Sequence, residues 1–141
     1  MNFSSCNGNQ VDVLCLENEK QALLMFKQDL EDPSGRLSSW EAEHDCCKYW
    51  EGVVCDNTTG HVLELHLQNP SSVDEYWLAN EESSLGGEIN PSLLSLKQLR
   101  YLDLSQNVFY GVPIPSFIGS LASLEYLNLS YCWSFVQSIE E

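Results

Sequence analysis

Positive charge is scarce in this chain: six Lys and Arg stand against 21 Asp and Glu, a net charge of −15. Such a surface repels phosphate backbones and anionic lipid, so no nucleic acid is expected as a partner and no direct membrane contact. Long apolar runs are also missing. No stretch reaches the 18 or so residues that a spanning helix needs. The opening text MNFSSCNGNQ has neither a basic segment nor an apolar one, so it is not a secretory signal. No C-x-x-C pair with a distant partner occurs, which removes the common zinc and thioredoxin-like spacings. What remains is ample for one core: 141 residues, 43% of them apolar, suit a single domain.

Cysteine is plentiful. Cys6, Cys15, Cys46, Cys47 and Cys55 lie in the first 55 residues and Cys132 near the end. Clustering of this kind predicts a locally stapled piece folded in an oxidising compartment, with a connectivity that spacing leaves open. Asn-x-Ser/Thr acceptors at Asn2, Asn57 and Asn128 fit the same compartment, whereas Asn90 is excluded by Pro91. Secretion-type cysteines with no signal predict a chain that starts after, or has lost, its signal.

The strongest pattern is a line written twice. LRYLDLSQN (residues 99–107) and LEYLNLSYC (124–132) align at an offset of 25 residues. GGEINPSLLSLKQL and YGVPIPSFIGSLASL precede them in parallel. This is the L-x-x-L-x-L-x-x-N/C-x-L signature of a leucine-rich repeat, with Asn107 and Cys132 in the slot that accepts either residue. HVLELHLQN (61–69) is a degenerate third copy, its Val62, Leu65 and Leu67 matching Leu99, Leu102 and Leu104.

The expected fold is therefore an α/β leucine-rich-repeat solenoid. A disulfide-stapled helical cap should precede short parallel β-strands joined by irregular or 3₁₀ convex segments. Residues 1–14 read as a flexible tail, 15–60 as the cap and 61–141 as repeats. Strands are expected near 62–67, 100–105 and 125–130, with an acidic insertion loop at 70–84 that docks Tyr76 and Trp77. In the cap, Ala22, Leu23, Phe26 and Leu30 form a helical stripe over 17–32, which Asp32-Pro33 ends. Asn18 and Gln21 resemble a capping box. Leu37 and Trp40 can return to the stripe, and 56–60 is a turn or hairpin end. From Trp133 the text stops obeying the repeat, so a solenoid truncated at its C-terminal end is expected to be sticky or part of something longer.

Within each ladder the later leucines point inward and the residues between them point out. The outward, concave set is Glu64, His66, Gln68, then Tyr101, Asp103, Ser105, then Tyr126, Asn128, Ser130. Of these, Glu64, His66, Tyr101, Asp103, Tyr126 and Asn128 form the candidate binding face, because exposed aromatics among polar neighbours suit protein or peptide contact. The plainer alternative is a solvated face, and a glycan on Asn128 would block it. Asn107 is expected to bond backbone groups at the bend after its strand.

Catalysis and metal binding have little to stand on. Cys46, Cys47, Cys55, His61 and His66 are ligand-type residues, but adjacent cysteines fit one tetrahedral ion badly. His44 lies near Cys46 in sequence without any visible substrate cradle. Asp74-Glu75 and Glu81-Glu82 read as solvated loop charge. Cys132 reads as a packed ladder residue, with a reactive thiol as the alternative. No catalytic residue, cofactor or metal is expected.

The run Cys15, E-x-x-ALL-x-F-K (Glu19 to Lys27), DPSGRLSSW, DCC, W-x-GV-x-C and TGHV-x-L-x-L resembles the plant-type leucine-rich-repeat N-terminal cap. The repeats that follow resemble those of plant receptor-like proteins of the Cf-type and xylanase-receptor-type disease-resistance group. The resemblance implies an extracellular or secreted recognition module in defence and pattern perception. It implies a protein, peptide or glycan elicitor, and signalling through a co-receptor kinase. It also implies the pairs Cys15–Cys46 and Cys47–Cys55, leaving Cys6 and Cys132 over. A secreted protein similar to polygalacturonase inhibitors is the alternative within the binding class. A cysteine- or zinc-dependent enzyme is the alternative outside it.

Overall fold

The computed structural model describes residues 13–70, 83–109 and 115–130. Cys6, Cys132, Asn2, the Tyr76–Trp77 pair and the text after Ser130 lie outside them.

The cap begins with α1 (Glu17–Gln28). Its first turn carries Glu17 and Glu19, which favour the positive end of the helix dipole. Ala22, Leu23 and Phe26 are its buried face. The N-cap is Leu16, with no side-chain cap bond, so the capping box at Asn18 does not form. Gln21 instead donates to Glu17 Oε2 at 2.8 Å. The helix also stops at Gln28, before Asp32-Pro33. A tertiary partner claims its last turn: Asn90 Nδ2 donates to Met25 O and Asp29 Oδ2, both at 2.9 Å. Asp29 O then accepts Glu88 N, and Leu30–Glu31 (β1) pairs antiparallel with Gly86–Gly87 (β4). Asp32 turns the chain, accepting the amides of Arg36 and Leu37.

Leu37 and Trp40 return to the stripe, each 1% exposed. Trp40 lies 6.5 Å from Phe26 and stacks on Trp50 at 5.1 Å. Both indole nitrogens find carbonyls, Glu51 O and Glu41 O, as buried indoles require. Asp45 caps the single turn α2 (Cys46–Tyr49) by accepting Cys47 N and Lys48 N, and its other oxygen accepts Cys15 N at 2.7 Å. One carboxylate thus sits between two bridges, Cys15–Cys46 and Cys47–Cys55.

Val53–Cys55 (β2) and Val62–His66 (β3) form an antiparallel hairpin. Its turn closes through Asp56, which accepts the amides of Thr58 and Thr59. Tyr101–Asp103 (β5) and Tyr126–Asn128 (β6) then add parallel to β3, giving the sheet order β2-β3-β5-β6. The sheet is therefore parallel only from β3 onward, and its strands are shorter than the repeat text suggested. Convex connections are the 3₁₀ helices η1 (Pro91–Ser95) and η2 (Ser116–Ser120). Leucines of the ladders fill the space between sheet and convex side: Leu65, Leu93, Leu102 and Leu104 are fully buried. The chain is a leucine-rich-repeat solenoid with a stapled helical cap.

Asn107 ties this layer together. It is fully buried. Its Nδ2 donates to Leu67 O at 2.7 Å and Leu104 O at 3.0 Å. Its Oδ1 accepts Leu85 N at 2.9 Å and an Arg36 guanidinium nitrogen at 2.7 Å. Peptide groups that leave a strand inside a packed solenoid need such a partner, because no water reaches them.

Candidate functional site on the open face of the sheet

The parallel register sets the outward residues in rows. Glu64, Tyr101 and Tyr126 are opposite one another, and so are His66, Asp103 and Asn128. Strand spacing of about 4.8 Å brings flat rings into stacking range. His66 lies 4.3 Å from Tyr101, and Tyr101 lies 4.3 Å from Tyr126 with planes only 4° apart. Three rings on three successive strands thus make one continuous ladder. His66 Nε2 is 2.7 Å from Glu64 Oε1, which anchors the ladder's first ring. Tyr126 is 43% exposed at its other end.

Two members of the expected outward set are not available there. Asp103 and Ser105 are buried, at 6% and 7% exposure. The Asp103 carboxylate folds back to accept Ser105 N at 2.9 Å, so it closes a bend rather than facing solvent. Asn128 makes the corresponding bond to Ser130 N at 3.0 Å and stays partly accessible. Its Nδ2 donates to the Tyr126 hydroxyl at 3.4 Å.

The Tyr101 hydroxyl titrates above the ordinary range. Desolvation is the first cause, followed by Tyr126, Asp103 and Glu64, each of which opposes a phenolate. Beside the first ring, a recess of about 270 Å³ opens between Arg36, Glu51, His66, Gln68 and Pro70. Gly52 forms its floor at φ +89°, where a Cβ would meet His66 O at 2.6 Å.

Arg36 is a residue that periodicity does not reveal. Its guanidinium donates to Leu67 O, Gln68 O, Ser83 O and Asn107 Oδ1, all at 2.7–2.9 Å. Burial lowers its pKa, partly offset by Asp32. It fastens the cap to the first two repeats. Glu19 is the second such residue. It is 1% exposed, accepts Val62 N at 2.8 Å and meets His61 Nδ1 at 2.8 Å, so the first helix holds the start of β3.

The sulfurs of Cys15, Cys46 and Cys47 cluster within 4.8 Å, but all three are in disulfides and offer no thiolate to an ion. His44 lies 5.5 Å from Tyr49 in a tilted contact and meets Glu41 rather than a cysteine. His61 and His66 are each paired with a carboxylate. Asn57 is exposed in its turn. Among the described residues, no helix is long and apolar enough to cross a membrane.

Residues 16–56 match the family model described as the leucine rich repeat N-terminal domain. The tomato (Solanum lycopersicum) receptor-like protein EIX2 is 50% identical over 117 residues, which are 83% of this chain and 11% of that protein. The chain therefore spans about a tenth of that relative's length. Among solved structures, the BIR2 ectodomain from Arabidopsis thaliana superposes with a TM-score of 0.64 at 29% identity, covering 80% of this chain and 54% of that one. The Arabidopsis receptor kinase HAESA, solved with the peptide hormone IDA and the co-receptor SERK1, gives a TM-score of 0.60 at 30% identity, over 82% of this chain and 17% of that one.

Proposed function

We propose that this chain, whose sequence matches the N-terminal region of plant receptor-like proteins, recognises an extracellular defence ligand. Its cap nucleates the solenoid, and its open sheet face contributes to the contact surface. The role is recognition rather than catalysis, at the outer side of the plasma membrane. The observation that carries this reading is the His66–Tyr101–Tyr126 ladder, three stacked rings left on the outside of a sheet whose other face is packed under β3 and β5. Exposed aromatics held rigid by their neighbours contribute contact area at little entropic cost. The peptide and co-receptor in the HAESA assembly support a protein or peptide ligand and a co-receptor kinase as partners here. Asn57 is assigned as a glycan acceptor that leaves the open face clear.

The test is a chimera in which residues 16–130 replace the matching segment of the tomato relative. The expected result is normal delivery to the cell surface and a retained response to the parent receptor's ligand. A chimera that reaches the surface with its disulfides formed but gives no response contradicts the proposed role.

A further inference from the structure

We infer that the open face selects a basic segment of a protein or peptide partner, whose Lys or Arg side chains cross the three strands and meet Glu64 and the two tyrosine hydroxyls. This rests on the recognition reading and names the chemistry of what is recognised.

Charge is the first argument. Among the described outward residues of β3, β5 and β6 and the bends after them, none is Lys or Arg. Glu64 is partly accessible, with its side chain 27% exposed. Asp103, directly beneath the face, adds a second negative charge that no described cation pairs with. The Tyr101 hydroxyl has its pKa raised first by desolvation and by Tyr126, with Asp103 and Glu64 adding to the shift.

Ring geometry is the second. The ring faces of Tyr101 are taken by His66 and Tyr126, at 4.3 Å on either side. A sugar or aromatic ligand cannot stack on Tyr101. What the ladder presents outward includes the tyrosine hydroxyl oxygens, which accept hydrogen bonds from a cation's N–H groups. The recess beside His66 is lined by Glu51 and by Arg36, whose guanidinium spends four hydrogen bonds on protein acceptors and is not available to bind an anion there.

The experiment measures binding of fluorescent tetra-arginine to the full oxidised chain at low salt, beside tetra-serine and cellotetraose as neutral probes. The expected result is saturable binding of tetra-arginine alone. Glu64→Gln should weaken it about threefold to fivefold, the size of one solvent-accessible ion pair. Tyr101→Ser with Tyr126→Ser should weaken it about tenfold. Glu43→Gln and Glu88→Gln, exposed carboxylates away from the face, should change it less than twofold. Unchanged circular dichroism in Glu64→Gln separates a lost contact from a lost fold. Equal losses in the Glu43 and Glu88 controls would mean diffuse attraction to an acidic chain and overturn the inference. So would binding of tetra-serine or cellotetraose at the same affinity. If tetra-arginine fails while the ladder variants still abolish the chimera's response, the choice of a basic ligand is wrong and the recognition reading stands.

Discussion

Asn107 and Arg36 show how few side chains hold the solenoid's bends. Asn107→Ala removes five hydrogen bonds and leaves the buried Leu85 amide without its side-chain acceptor. A cost of about 3–5 kcal/mol in urea unfolding is expected. Arg36→Met should cost about 2–4 kcal/mol, because three carbonyls lose a charged donor. The two residues differ in how legible they are. Asn107 sits in a fixed slot of a repeating text, so its role follows from the pattern. Arg36 and Glu19 act across the fold, Arg36 on Asn107 and Glu19 on His61, and a charged residue near a turn or in a first helical turn looks like any solvated one. Asp103 failed in the opposite sense. Alternation places it outward, but its bond to Ser105 N turns it under the face. Tyr101 carries a pH signature. Its raised pKa means that the folded state disfavours the phenolate. Its stabilising contribution is complete below the unfolded value of about 10 and is lost as pH rises through the higher folded value. Tyr126→Phe should bring the Tyr101 absorbance titration back toward that ordinary value.

Among the elements, the ladders and the helix stripe were readable because their periods are those of strand and helix. The antiparallel β1–β4 pair was not. Each of its strands is two residues long, and Gly87 passes so close to the cap that a Cβ there would meet Asp29 O at 2.5 Å. Such a contact depends on two segments meeting in space, which no local pattern records. The helix end moved for the same reason, since Asn90 takes Met25 O and Asp29 Oδ2 before Pro33 can act. Disulfide spacing left the connectivity open, and only the resemblance to a known cap supplied it. The two bridges close loops of unequal size, with sequence separations of 31 and 8. On chain entropy the longer should be worth about 1 kcal/mol more. Replacing Cys15 and Cys46 by Ser should therefore lower stability further than replacing Cys47 and Cys55. The fully buried Cys46 widens that gap.

Over the whole molecule, packing is dense at the cap and thins along the repeats. Leu65 and Leu102 are fully buried, yet their counterpart Leu127 is 42% exposed on β6, the last of the described strands. Expressed alone, residues 1–141 should self-associate in sedimentation through that face, and Leu127→Lys should shift the population toward monomer. Under β3 and β5 the inner side of the sheet is buried, so what this part of the solenoid can recognise is set by the other. The measurement that tests this most directly compares two variants of the chimeric receptor at equal surface abundance. Tyr101→Ser with Tyr126→Ser, on the open face, should remove most of the ligand response. Tyr49→Ser with Met25→Ser, exposed on the cap, should leave the response intact. An intact response from the ladder variant, or an equal loss from the cap variant, would contradict the open face as the recognition surface.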